Sequence, residues 1–180
     1  MALLPTADLE RAIRSRIARV VVGPSTVRGN PTGTTEAARR FLRALPLQRF
    51  GTGDGAEFSR ALDRATIRLQ AALPRAARRW GVARKLLNIY LRDCVYSAHL
   101  RSVYALGRME RFCELPLDSI TATRLRGSEE GAELPAWPGV GAVTPQVSAE
   151  YQQVAAKIGR ALRMRRVHLD VFWWSEERDG

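Results

Sequence analysis

Apolar residues recur every three to four positions along most of this chain, the period of a helix that buries one face. Leu9, Ile13, Ile17 and Val20 predict a first helix over 7–22 with arginines on its outer side, stopped by Gly23 and Pro24. TTEAARRFLRAL predicts a second, with Thr34 or Thr35 as its cap. AEFSRALDRATIRLQAAL predicts a third, its apolar side made of Phe58, Leu62, Ala65, Ile67 and Leu69, and Pro74 ends it. A fourth, long helix starts near Trp80 and runs towards Leu106, with Val82, Leu86, Ile89, Tyr90 and Val95 turned to the core. After the turn ELPLDS, Asp118 is placed to cap a short helix, SITATRLR, and Thr144 with Pro145 starts QVSAEYQQVAAKIGRALRM. In the C-terminal stretch the alternation of Val167, Leu169 and Val171 suits a short strand, whereas a helix would put Asp170 and Trp174 on one face. The expected fold is all-α, one helical domain over 1–180.

Two loops interrupt this pattern at length. GPSTVRGNPTGT is long for a mere connection, which favours a binding role, and Arg28 within it is a candidate phosphate contact. GSEEGAELPAWPGVGAVTP is rich in Gly and Pro and joins the last two predicted helices.

Charge changes the picture more than hydrophobicity does. A formal net charge of +11 and a pI near 11.0 point to a polyanionic partner, with nucleic acid ahead of an anionic membrane surface. No apolar run reaches the roughly 20 residues that span a bilayer, and the first residues lack a signal-peptide core, so a soluble, cytoplasmic, monomeric protein is expected. Cys94 and Cys113 form no CxxC pattern and have no histidine partners, so they are read as buried, reduced thiols, with no metal and no cofactor expected. His99 and His168 show no triad or metal spacing; His168 is read as structural or as part of a pocket wall.

Among 29 Lys plus Arg, only Lys85 and Lys157 are lysines. A lysine kept against so strong a preference for arginine suggests chemistry that arginine cannot perform, because a desolvated amine can lose its proton and attack carbon. Lys85 shares a helical side with Asn88, Ile89 and Arg92, which would present an amine, an amide and a guanidinium together. Lys157 lies among small residues and is assigned to the surface. Taken alone, the helix is also an ordinary amphipathic one whose Lys85 reaches out to water, and Asp118 is also an ordinary cap.

Pro116-Leu117-Asp118-Ser119 resembles the Pro-Val-Asp-Thr/Ser motif of the helix-hairpin-helix DNA glycosylase superfamily, in which the aspartate is catalytic. Lys85 precedes Asp118 by 33 residues, a spacing similar to that of the archaeal 8-oxoguanine glycosylase branch. Asp170 and Trp174 are similar in spacing to the pair with which that branch recognises the flipped base. Trp137-Pro138-Gly139-Val140-Gly141 mimics the superfamily's hairpin sequence, but it follows Asp118 and has Val143 where a lysine would stand, so it is read as a loop. The resemblance implies a DNA glycosylase with AP-lyase activity on double-stranded DNA, removing an oxidised purine such as 8-oxoguanine. Lys85 and Asp118 would be catalytic, Asp170, Trp174, Arg92 and Ile89 would meet the substrate, and Arg28 with the backbone of Gly139 and Gly141 would hold phosphates. Two other readings fit the same residues: a basic nucleic-acid-binding protein without catalysis, and an arginine-rich helical interaction protein.

Overall fold

Eight α-helices and no strand are found among the residues described by the computed structural model, 6–179, with side chains described for 7–174. They are α1 (Thr6–Val21), α2 (Thr34–Arg43), α3 (Gly55–Ala72), α4 (Trp80–Tyr96), α5 (Ala98–Val103), α6 (Ser119–Arg126), α7 (Pro145–Ala161) and α8 (Leu169–Asp179), linked in part by single 3-10 turns.

Local chemistry sets most of the boundaries. The Asp54 side chain accepts the Glu57 N–H at the start of α3, and Thr144 accepts the Val147 N–H ahead of Pro145 in the first turn of α7. At α2 the cap is Gly33, not Thr34 or Thr35. Its φ of 87° suits only a residue without Cβ, and Thr34 is instead buried with its hydroxyl donating to the Pro31 carbonyl. The helix expected to run from Trp80 towards Leu106 breaks at Ser97, whose side chain accepts the Leu100 N–H and starts α5 in a new direction. The C-terminal stretch is helix, not strand, so Asp170 and Trp174 do lie one turn apart.

Two apolar clusters make up the interior. The larger unites α1 to α5 with Leu106, Met109, Cys113 and Val167; the smaller joins Leu115 and Leu117 to α6, α7, Leu169 and Trp173. α4 is the central element, with eleven of its residues buried from Gly81 to Val95. Three residues expected in the core are exposed instead: Leu9, Val20 and Ile67, at 42%, 67% and 62%. On α1 the inward side is Ile13, Ile17, Ala18 and Val21, because α2 and α4 approach from that direction. No helix among the described residues is long and apolar enough to cross a membrane.

The segment between the clusters, 114–118, belongs to no helix, and the buried Gln152 and half-buried Arg166 hold it and the two residues before it. Gln152 accepts the Leu115 N–H at 2.9 Å and donates to the Leu115 carbonyl at 2.8 Å. Arg166 donates to the carbonyls of Phe112 and Cys113, both at 2.9 Å. These contacts satisfy backbone groups that would otherwise be unpaired, just ahead of Asp118.

Candidate active site

The seam between the two clusters opens into a cavity of about 1210 Å³. α4 forms its central wall through Val82, Lys85, Ile89, Arg92 and Asp93. The start of α6 contributes Asp118, Ser119 and Ile120, and α8 contributes Asp170, Val171 and Trp174. The loop after α1 brings in Arg28, and the loop before α7 brings in Trp137, Gly139 and Gly141. The nine residues singled out from sequence therefore line one cavity.

Lys85 and Asp118 meet. The Lys85 Nζ lies 3.3 Å from Asp118 Oδ2, with side-chain exposures of 14% and 22%. Asp118 divides its two oxygens between structure and site. Oδ1 accepts the N–H groups of Ile120 and Thr121, each at 3.0 Å, while the Asp118 N–H donates to Thr121 Oγ1 at 2.9 Å, closing a capping box. With Oδ1 held this way, Oδ2 is directed at the amine. The cap thus sets the position of the carboxylate, and the two roles support each other.

Arg92, two helical turns further along α4, bridges two carboxylates. Its guanidinium donates to Asp93 Oδ1 at 2.9 Å and to Asp170 Oδ2. Burial raises the pKa of Asp170 above the ordinary carboxylate value; Arg92 opposes the shift and the negative charge of Asp118 adds to it. Lys85 and Arg92 thus stand among three acids, Asp93, Asp118 and Asp170, contributed by three helices.

Asn88 does not join this group. It is buried, and its amide donates to Glu114 Oε2 at 3.0 Å on another side of α4. Glu114 also takes two hydrogen bonds from Arg84, at 2.8 and 2.7 Å, which puts a closed ion pair next to the open one in sequence. Of the tryptophans, Trp174 and Trp137 line the cavity, Trp173 is buried in the smaller cluster, and Trp80 lies under the Arg84 guanidinium at 5.4 Å. Lys157 is exposed on α7. His168 is structural, stacked on Tyr96 and hydrogen-bonded to the Tyr96 hydroxyl and to Glu110 at 2.7 and 2.9 Å.

Sequence reasoning missed Asp93, Arg79, Trp137 and the loop residues Ser25, Thr26 and Asn30. Asp93 follows Arg92 directly, which is the one local signal for it. Arg79 immediately precedes α4 and stands at the cavity beside Gly141, where an added Cβ would come within 2.5 Å of its guanidinium. The WPGVG segment is a loop wall, not a helical hairpin: Gly139 turns with φ 86°, and its carbonyl accepts the N–H groups of Ala142 and Val143. No group of three or more metal-ligating side chains occurs among the described residues.

No known protein family, no curated protein and no solved structure matches this chain.

Proposed function

We propose that the protein is a DNA base-excision glycosylase with AP-lyase activity, acting on an oxidised purine such as 8-oxoguanine. The observation that carries this reading is the Lys85 to Asp118 contact of 3.3 Å at the wall of a 1210 Å³ cavity on a chain of net charge +11. A base inside a duplex is out of reach of any side chain, so the nucleotide must be extruded into a pocket. The cavity is large enough for one, with the Trp174 and Trp137 rings as apolar surfaces and Asp170 as a polar group for the base edge.

In this mechanism Asp118 Oδ2 takes a proton from Lys85, and the neutral amine attacks C1′. The bond from C1′ to the base nitrogen breaks, and the base leaves with its electron pair and then a proton. Asp118 gives that proton to the departing base, and the carboxylate so restored stabilises the positive charge on the sugar. The C1′–O4′ bond then breaks, O4′ taking up the proton that the amine gives up, and the ring-opened sugar is joined to Lys85 as a Schiff base; loss of a C2′ proton and of the 3′ phosphate by β-elimination nicks the strand. Arg92, held by Asp93 and Asp170, fixes the acid that addresses the base. Arg28 and the backbone of the Gly139 to Gly141 turn grip phosphates at the mouth without reading sequence.

Borohydride trapping on duplexes carrying 8-oxoguanine, uracil, an abasic site or no lesion tests the reading. Wild type is expected to form a covalent adduct and a nick on the 8-oxoguanine duplex, and Lys85→Gln to form neither while still binding. If wild type binds the duplex but gives no adduct or nick on any lesion, the protein is a basic nucleic-acid-binding module without catalysis.

A further inference from the structure

A second concave region lies away from the Lys85 cavity and shares no lining residue with it. It has two adjoining lobes of about 330 and 350 Å³, both lined by Arg111 and Arg165. Five arginines face these lobes, Arg108, Arg111, Arg160, Arg165 and Arg166, against two acids, Glu110 and Glu114. Both acids are committed elsewhere. Glu114 is bound by Arg84 and Asn88, and Glu110 by Arg101 and His168. The cationic excess is therefore not neutralised from within.

Arg166 sharpens this. It is half-buried, and its hydrogen bonds go to the neutral carbonyls of Phe112, Cys113 and Gln152. Burial pulls its pKa below the usual guanidinium value, and the charge of Glu114, which is hydrogen-bonded to Arg84 and Asn88, opposes the shift without cancelling it. A partly desolvated guanidinium that makes no ion pair of its own is costly, and an incoming oxyanion would offset that cost.

The floor of the 330 Å³ lobe is of a different character. Phe112 and Met164 are half-buried there, Phe58 supports Phe112 with ring centroids 6.1 Å apart, and the Arg111 guanidinium lies over the Phe112 ring at 4.7 Å. Arg111 also donates to the Gly53 carbonyl at 2.7 Å, which holds the guanidinium in place as a flat platform. Stacked guanidinium and aromatic planes accept nucleobases, and arginine forks accept phosphates. An apolar aromatic floor with an arginine rim fits a ligand that has both parts, and each lobe lies within the roughly 300–1,000 Å³ of small-ligand sites.

The geometry points to a second binding site, for a nucleotide unit: the base stacks on the Arg111 and Phe112 platform and the phosphate sits among Arg108, Arg160 and Arg165. The ligand is either a free nucleotide or one unit of a single strand, and it is bound independently of Lys85 chemistry.

The test is equilibrium binding of adenosine 5′-monophosphate and of a labelled oligothymidylate to the full chain, with inorganic phosphate as competitor. Whichever probe binds, Arg111→Gln with Arg165→Gln is expected to weaken it by about tenfold or more, while Lys85→Gln leaves it unchanged. Phe112→Leu should weaken the nucleotide while sparing binding of inorganic phosphate. Binding of the mononucleotide identifies a free-nucleotide site; binding of the oligomer alone identifies a strand site. The proposal is overturned if neither probe binds wild type, if both bind the double variant as well as wild type, or if phosphate displaces the nucleotide as effectively as unlabelled nucleotide does. Unchanged thermal melting of the variants checks folding, and Arg108→Gln with Arg160→Gln serves if the first pair melts early.

Discussion

Arg84 and Lys85 are consecutive on α4 yet meet different fates, because helical geometry sets them about 100° apart. Arg84 faces Glu114 in a closed, buried pair; Lys85 faces Asp118 in an open one. Removing one partner of a buried pair leaves the other charge stranded. Glu114→Gln is therefore expected to destabilise the fold by about 3 kcal/mol in urea titrations, since Asp63, the other partner of Arg84, is largely exposed. Glu114 also sets the sign of the acid response. Burial works to raise its pKa, but the hydrogen bonds and charge of Arg84 outweigh burial and lower it. Its contribution is full above the unfolded carboxylate pKa of about 4.3 and is lost as pH falls through the folded value. Asp170, shifted upward, has the opposite sign: its contribution is present at low pH and lost as pH rises through its folded pKa. Melting temperature should thus fall with acid in wild type and fall less in Glu114→Gln. Burial pushes the Cys94 and Cys113 thiols up to about 12, so a thiol reagent at mildly alkaline pH should react with them only as the protein unfolds.

Among elements, α4 is the one on which the others are assembled, and its first turn packs closely against the loop before α7. A Cβ on Gly81 would come within 2.2 Å of the Val140 carbonyl oxygen and 2.3 Å of Val143 Cγ1. Gly81→Ala must displace the loop that carries Trp137, Gly139 and Gly141, at an expected cost of about 2 kcal/mol. Hydrogen exchange should localise the loosening to 137–143 and leave α3 and α7 protected, and, on the proposed reading, duplex affinity should fall with it. The short connection at Ser97 matters as well, because it ends α4 one turn after Arg92 and lets Tyr96 stack on His168 at the base of α8.

For the whole molecule, the net charge of +11 acts at a distance that no single contact does. If the Lys85 cavity and the arginine-rich lobes both meet phosphates, binding to duplex DNA should release many counterions. Affinity is expected to fall about 10²–10³-fold between roughly 50 and 200 mM salt, a slope that reflects about five phosphate contacts. A flat salt response would favour the helical interaction protein over both nucleic-acid readings. The two concavities also divide the charge: acids and bases balance closely around Lys85, whereas arginines dominate around Phe112.

What the sequence by itself determined were the features written within one or two helical turns. The 3.6-residue period placed the helices, Asp118 and Thr144 announced their caps, and the rarity of lysine drew attention to Lys85 before any partner was visible. The spacing of Asp170 and Trp174 had its meaning only if that stretch was helical, and local pattern left strand open. Only tertiary structure decided the rest, because the burial of a face depends on elements distant in sequence. The larger cluster turned Val20 and Ile67 out, Glu114 drew Asn88 away from the site, and the smaller cluster absorbed Trp173 while leaving Trp174 at the cavity. Above all, the meeting of Lys85 with Asp118 rests on Gln152 and Arg166 holding the non-helical segment that leads to Asp118. That contact spans several elements, and no periodicity within a single helix encodes it.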